Sequence, residues 1–454
     1  MGKYFGTDGF RGKAGATLNA QQAFKVGRYI GWYFGREHED GERARIIIGK
    51  DTRRSSYMIE NALAAGITSS GSDAYLMHVT TTPSISYLTA NENFDCGIMV
   101  SASHNPYYDN GIKLVNANGE KMEEEMLLGI EEYLDSSEDY IPYAIEDKIG
   151  KTEDYYFGRN KYIGHLVSAG MKSFEKAKIA IDCSNGSAWM IGRAVFDALG
   201  AKVYPINNQP DGTNINMNCG STHLESLQKY VVDNDMDAGF AFDGDADRCL
   251  AVDENGNVVN GDQLIYVCAK YLKERNMLPN DTVVVTIMSN IGLTKALDSI
   301  GVKYEKTQVG DKYVYENMKK KNHMLGGEQS GHIIFRQHAN TGDGILTAIM
   351  VMNVMIKTQL PLSILTQNCK MYPQVLKNVE VDDKDKTLSD PLVIASVDRA
   401  TEELADSGRV LLRASGTEPV LRVMSEAGTD EKAEHYVDII IEAMKESGHL
   451  LKVR

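Results

Sequence analysis

A chain of 454 residues with a formal net charge of -15 is too long for one hydrophobic core, and about 150 residues per domain sets an expectation of roughly three domains. The acidic balance excludes a nucleic-acid binder, which needs a basic field to displace counter-ions, but a few arginines and backbone amides can still hold a small anion. The six cysteines, Cys96, Cys183, Cys219, Cys249, Cys268 and Cys369, form no C-x-x-C pair and read as reduced core residues of a cytoplasmic protein.

Met1 to Gly15 is polar and glycine-rich, without a secretory pattern, and the GTDGFRG segment from Gly6 to Gly12 puts Arg11 in a glycine-rich turn. From Arg45 to Met77 a β-branched run, a polar turn, an amphipathic helix and a second run predict a βαβ unit. A strand over Cys96 to Val100 then delivers the loop VSASHNPYYDNGIK, with Ser103 between small residues and a His-Asn-Pro turn. A strand that ends this way leaves a hydroxyl at a sheet's carboxyl edge, where α/β enzymes place their chemistry. An ordinary surface loop reads the same. Lys113, in the GIK strand beside it, could stabilise charge or shuttle a proton.

The βαβ pattern returns at Ala180 to Ile206 and at Val283 to Lys306, at domain-sized spacing that excludes a solenoid. Between these copies lies DGDADR. Asp243, Asp245 and Asp247, at alternate positions on a tight loop between two apolar strands, converge on one point. Their mutual repulsion favours a hard divalent cation there. An acidic β-turn in solvent is the alternative. An EF-hand is excluded, because Arg248 stands where that loop needs glycine and strands flank it.

GGEQSGH, Gly326 to His332, offers Glu328, Ser330 and His332 on one side of an extended stretch, as a polyol recogniser would, or forms a charged turn. Ile345 to Ile356 is apolar but too short to span a bilayer. After Pro373, strands at QVLKNVEV, Val410 to Ala414 and Val420 to Ser425, with helices over Pro391 to Ala405 and Asp430 to Ser447, predict a small α+β domain. Within it RASGTEP provides Arg413, Ser415, Gly416 and Thr417, and Arg422 follows. These residues suit an anion nest with two guanidinium forks, or a plain hairpin turn. Linkers are expected near Asp139 to Asp154, Asn255 to Asp262 and Lys370 to Gln374. The fold class is therefore α/β: three similar domains with mixed, mostly parallel sheets and a smaller C-terminal α+β domain. The expected boundaries are 1–154, 155–256, 257–370 and 371–454.

SASHNP, DGDADR, GEQSG and RASGTEP, in that order across residues 101–419, resemble the four signatures of the α-D-phosphohexomutase superfamily. GTDGFRG, Gln329, the VGD at Val309 to Asp311 and NCGSTHLE at Asn218 to Glu225 resemble its glucosamine branch more than its glucose and mannose branches. The resemblance implies four domains around a central cleft, each contributing one loop. It implies interconversion of glucosamine 6-phosphate and glucosamine 1-phosphate through a 1,6-bisphosphate, which feeds UDP-N-acetylglucosamine and cell-wall precursors. Glucose or mannose phosphates remain the alternative substrates.

The resemblance further implies that Ser103 is carried as phosphoserine, with Ser101 as a candidate secondary site. One Mg²⁺ per active site would be held by Ser103, Asp243, Asp245 and Asp247. His104, Lys113, Arg11, Arg248 and His332 would act in catalysis, and Glu328, Ser330, Arg413, Ser415, Gly416, Thr417 and Arg422 would bind substrate. A hexose 1,6-bisphosphate is a candidate activator. A small-molecule sugar phosphate is the expected partner, with no nucleic acid and no membrane, on a monomer or homodimer. Ala246 stands where the family often has glycine, which would slightly restrict the metal loop.

Overall fold

The run RIIIGK is apolar at successive positions, so a strand made from it needs cover on both faces. A computed structural model describes residues 2–38, 42–415 and 420–453. In it the strand Arg45–Lys50 lies between parallel neighbours Asp73–Val79 and Cys96–Val100 in a seven-stranded sheet. Ile46 and Ile48 join Val26 and Ile30 of helix Ala20–Gly35 and Ile59 and Leu63 of helix Arg54–Ser69 in one core. Ile47 joins Ile85 and Leu88 of helix Thr82–Asn91 in another. Alternation along the strand thus feeds two layers of helix.

The other half of this sheet is antiparallel. Cys96–Val100 pairs with Asp109–Asn116, which pairs with Gly9–Lys13, which pairs with Phe5–Gly6. Glu131, on helix Glu124–Asp135, accepts hydrogen bonds of 2.7 Å from the backbone N–H groups of Lys3, Tyr4 and Phe5. That carboxylate anchors the terminal hairpin, and the hairpin carries Arg11. At the opposite edge Thr152–Asp154 pairs in parallel with Asp73–Val79, so the end of the segment read as a linker belongs to the sheet.

The helices Ala20–Gly35 and Arg54–Ser69 meet through glycine. A Cβ at Gly66 would stand 2.2 Å from the Phe24 carbonyl oxygen, and one at Gly27 would stand 2.3 Å from that of Leu63. Alanine would gain about 1 kcal/mol of helix propensity, yet it would force the two backbones apart. Gly66→Ala is therefore expected to lower stability by about 1–3 kcal/mol net, read as an earlier denaturant midpoint; a later midpoint would refute the close approach.

The second sheet runs in the order Val258–Val259, Cys249–Asp253, Ala238–Phe242, Lys178–Asp182, Lys202–Ile206. The aspartate loop joins Ala238–Phe242 to the antiparallel Cys249–Asp253. The third sheet orders Lys303–Thr307, Thr282–Thr286, Leu325–Gly327 and Ile333–Phe335. Its last two strands form a hairpin, which corrects the expectation that Glu328, Ser330 and His332 share one side of an extended stretch. The Gly331 N–H donates to the Glu328 carbonyl at 3.0 Å and Gly331 takes a φ of +91°, so residues 328–331 turn and Ser330 is exposed.

The chain divides into two compact units, one formed by residues up to 288 with 302–367, the other by 289–301 with 368–454. Helix Ile291–Ser299 thus groups with the C-terminal residues. In that second unit a wholly antiparallel sheet orders Arg409–Ala414, Val420–Glu426, Gln374–Val381 and Leu450–Val453. Helices Pro391–Leu404 and Asp430–Glu446 pack Val393, Val437 and Ile440 onto Val379, Leu421 and Val423. The charged DDKDK segment starts helix Lys384–Ser389, because the Asp383 side chain caps the N–H groups of Asp385 and Lys386. Among the described residues no helix is long and apolar enough to cross a membrane.

Candidate active site

Ser103 lies just beyond the carboxyl end of the strand Cys96–Val100, where the chain reverses into Asp109–Asn116. It takes a φ of +52°, a left-handed conformation that costs a non-glycine residue roughly 1–2 kcal/mol. Its N–H donates to Ser101 Oγ at 2.9 Å, and its own hydroxyl donates to Asp243 Oδ2 at 2.5 Å. His104 Nδ1 is 3.3 Å from the same hydroxyl. Burial, followed by the charges of Arg248 and Arg11, lowers the His104 pKa to about 4, so the ring beside Ser103 is neutral at pH 7.

Asp243, Asp245 and Asp247 are all buried, and one carboxylate oxygen from each lies within 4.8 Å of the others. The loop tightens through Ala246, whose φ of +57° is one that glycine adopts without strain. Thr82 donates its N–H to the Asp245 carbonyl at 3.0 Å and its hydroxyl to the Asp245 carboxylate. Burial and then the charges of Asp247 and Asp245 push Asp243 well above the usual carboxylate range. Burial acts the same way on Asp247, but Lys113, His332 and Arg248 outweigh it and hold Asp247 well below that range.

Asp245 Oδ1 and Asp247 Oδ1 are buried without a hydrogen-bond partner among the described residues. Buried anionic oxygens that accept no hydrogen bond are costly. Three convergent carboxylates with such oxygens fit a hard divalent cation, and this triad can bind a metal ion.

Lys113 Nζ reaches Asp245 Oδ2 at 2.6 Å and Asp247 Oδ2 at 3.3 Å. Burial lowers its pKa, but the two aspartates raise it further, and the ammonium stays charged. His332 is buried between Asp247, 3.7 Å from Nδ1, and Asp311, 3.6 Å from Nε2. Burial opposes its protonation, and the neighbouring carboxylates of Asp247 and Asp311 overcome it, raising the pKa to about 9. The Gly342 N–H, aimed at Nε2 from 2.9 Å, instead requires a lone pair there and favours the neutral ring. A cation on Asp247 would weaken the pull of that carboxylate and side with the neutral form.

Arg248 donates its backbone N–H to Asp243 Oδ1 at 3.2 Å, and its Nε lies 3.9 Å from Asp247 Oδ1, an ion pair without a hydrogen bond. Arg11 contacts Asp8 at 3.4 Å and keeps a buried Nε without a partner among the described residues. Glu328 accepts the Gly310 N–H at 3.0 Å, and burial with the nearby Asp311 charge raises its pKa despite His332. A cavity of about 530 Å³, lined in part by Thr82, Lys113, Lys121, Asp247 and Asp311, adjoins these groups. That volume suits a small-molecule ligand.

In the second unit Arg413 and Arg422 face each other across the strand pair Arg409–Ala414 and Val420–Glu426. Burial and then the Arg422 charge lower the Arg413 pKa. Like charges at this separation favour a bound anion. Ser415 is buried, and its N–H donates to the Val420 carbonyl at 2.9 Å. Gly416 and Thr417 lie outside the described residues.

Comparison with known proteins matches four successive phosphoglucomutase/phosphomannomutase domain models: α/β/α domain I at residues 2–141, domain II at 160–256, domain III at 260–372 and the C-terminal domain at 376–443. The chain belongs to the phosphoglucomutase/phosphomannomutase family. Similar relatives are the phosphoglucosamine mutases of Lachnospira eligens, 58% identical over 99% of this chain and 100% of that one, and of Bacillus subtilis, 45% identical over 98% and 99%. A solved family protein from Burkholderia thailandensis superposes with a TM-score of 0.83 at 23% identity, covering 99% of this chain and 98% of that one. Aspergillus fumigatus N-acetylphosphoglucosamine mutase, solved with GlcNAc-6P and magnesium, gives 0.71 at 18% identity, covering 98% and 96%.

Within this family member the structure adds residues that motif reading passed over. Thr82 binds Asp245, Arg53 and Asn216 hold the backbone of the Ser103 loop, and Asp51 pairs with Arg53 and accepts from Ser101 Oγ. Lys121 bridges Asp8 and Asp311. For Asp51 and Arg53 the available signal was the polar KDTR cluster at the carboxyl end of the strand Arg45–Lys50, a position where α/β sheets place functional groups.

Proposed function

We propose that this chain interconverts glucosamine 6-phosphate and glucosamine 1-phosphate, with Ser103 carried as a phosphoserine. The contact of 2.5 Å between Ser103 Oγ and Asp243, inside a three-carboxylate cluster, carries the reading. It brings the Ser103 hydroxyl to a cluster that fits a divalent cation, which supports a phosphoryl carrier there. The relatives named above as phosphoglucosamine mutases favour the amino sugar.

Ser103, Asp243, Asp245 and Asp247 would hold Mg²⁺, one ion per site, which neutralises charge on the phosphoryl group when bound. In the first transfer the Oγ–P bond of phosphoserine breaks as the sugar O1 bonds to phosphorus, giving the 1,6-bisphosphate. The hydroxyl proton passes to His332, whose neutral ring the Gly342 N–H favours, and the Lys113 ammonium, which shares Asp247 with it, adds positive charge beside the transferring group. After the bisphosphate turns end for end, its 6-phosphoryl group returns to Ser103 and glucosamine 1-phosphate leaves. Arg248 and Arg11 add positive charge around the transferring group, and neutral His104 orients the serine oxygen. Glu328 and Ser330 take ring hydroxyls; Arg413, Ser415, Gly416, Thr417 and Arg422 take a phosphate. A free hexose 1,6-bisphosphate would restore enzyme that has lost its phosphoryl group. The domains divide at residues 154, 256 and 370.

Formation of glucosamine 1-phosphate, with intact mass to count phosphoryl groups, tests this reading. The expected kcat/KM for glucosamine 6-phosphate exceeds that for glucose or mannose 6-phosphate by on the order of a hundredfold. Equal values for the three sugars would overturn the amino-sugar assignment, and inorganic phosphate released in step with substrate loss would make the protein a phosphatase.

A further inference from the structure

The backbone of the Ser103 loop is gripped from two directions. Arg53, fully buried, donates from one terminal nitrogen to the carbonyl oxygens of Ser103 at 3.0 Å and Asn105 at 2.6 Å. Asn216 Nδ2 donates to the same two carbonyls, at 2.9 Å and 3.1 Å. Two carbonyl acceptors leave only one sensible orientation for the Asn216 amide. With both donors in place the Ser103 carbonyl has used its two lone pairs.

Neither donor is free to move. Arg53 is ion-paired to Asp51, itself fully buried, and Asp51 also accepts from Ser101 Oγ at 2.7 Å and Ser56 Oγ at 2.8 Å. Asn216 takes a φ of +58°, and its backbone N–H is tied to the Ser184 carbonyl at 2.9 Å. The aspartate loop closes the third side, since a Cβ at Gly244 would stand 2.5 Å from the Ser103 carbonyl oxygen and 3.0 Å from Asn216 Nδ2.

We infer that Arg53 and Asn216 are positioning residues that clamp the Ser103 and Asn105 carbonyls and so hold the Ser103 hydroxyl on the aspartate cluster. The physical need is specific. Ser103 sits in a left-handed conformation that the chain would leave if released. Rotation of its peptide would carry Oγ away from Asp243, and phosphoryl transfer depends on alignment more than on any other contribution of the protein. Arg53 comes from the loop after one strand of the first sheet, and Asn216 from the segment between strands of the second. The clamp therefore registers the serine loop against the aspartate loop.

This inference rests on Ser103 being the phosphoryl carrier. Asn216→Gly tests it, since glycine accepts the positive φ and removes only the donor; Arg53→Lys retains the charge beside Asp51 and loses the two-carbonyl fork. For Asn216→Gly the expected result is a kcat roughly ten- to a hundredfold lower with KM within about twofold. Rephosphorylation of dephosphorylated enzyme by glucose 1,6-bisphosphate, followed by intact mass, should slow by the same factor. The thermal midpoint should stay near that of the parent. Arg53→Lys should reproduce the split between kcat and KM where it folds, and Asn216→Gly decides alone where it does not. Parental kcat and rephosphorylation in Asn216→Gly, beside an inactive Ser103→Ala, would overturn the clamp and leave the phosphoserine reading standing. Loss of activity only in proportion to lost folded protein would also overturn it. An active Ser103→Ala would remove the basis of both.

Discussion

Ser103→Ala is expected to eliminate turnover, with kcat reduced by at least roughly 10⁴-fold, while sugar phosphate binding persists. The hydroxyl is the atom that would hold the phosphoryl group between the two half-reactions, and its neighbours offer no replacement. Ser101, two residues away, is fully buried with its own hydroxyl committed to Asp51. His104 lies 3.3 Å from the Ser103 hydroxyl, but a phosphorylated imidazole there would lack the Asp243 contact that Ser103 makes. The fold should tolerate the change. Alanine keeps the backbone bonds to Ser101, Arg53 and Asn216, and what is lost is the contact with His104 and one hydrogen bond to an aspartate already held above its usual pKa by burial and by Asp247 and Asp245. Calorimetry with glucosamine 6-phosphate reads binding, and intact mass reads the missing phosphoryl group. Turnover at more than about a hundredth of the parent rate would remove Ser103 from the chemistry.

Asp245→Asn is expected to lower kcat by roughly a thousandfold and to abolish the stabilisation that magnesium gives. An asparagine amide cannot supply the anionic oxygen that Asp245 Oδ1, buried and unpaired among the described residues, offers to a cation. The cost in stability is smaller than a lost ion pair suggests. Lys113 loses its ion pair with Asp245 at 2.6 Å but keeps Asp247 at 3.3 Å, and the buried cluster sheds a carboxylate that repels its neighbours. Without metal, the variant should therefore melt within a few degrees of the parent. Added magnesium should raise the parent's midpoint by mass action, worth about 2.7 kcal/mol at a hundredfold excess over Kd, and leave the variant unmoved. Thermal melts in EDTA and in magnesium check this. Equal magnesium shifts in both proteins would place the ion elsewhere.

Much of this architecture is legible locally. The three βαβ units at Arg45, Ala180 and Val283 form where their apolar runs and amphipathic helices predict them, because periodicity reports burial directly. Other elements are harder to read. Helix Ala20–Gly35 has an Asn19–Gln22 capping box and an apolar face, but Gly27 and Gly31 depress its helix propensity and make sense only once helix Arg54–Ser69 lies against them. Helix Lys384–Ser389 hides in a charged segment, and the Asp383 cap that starts it is a local bond that composition does not reveal.

The site divides in the same way. Reactive groups that sit together in sequence, Ser103 with His104 and the three aspartates of DGDADR, could be named before any coordinates, since convergence within one tight loop follows from chain geometry. What DGDADR could not disclose is that Thr82 binds Asp245 and that Lys113 spans two of its carboxylates. Nor could GEQSG reveal a turn that leaves Ser330 exposed, a consequence of the Gly331 conformation and the hairpin around it. Asp51 and Arg53 from one segment and Asn216 from another reach the Ser103 loop, and none belongs to the four motifs. Sequence by itself determined which chemical groups this protein carries and which of them share a loop. Tertiary structure alone decided which backbone atoms hold the serine in place, because hydrogen bonds between residues far apart in the chain depend on how sheets pack, and no local pattern encodes that.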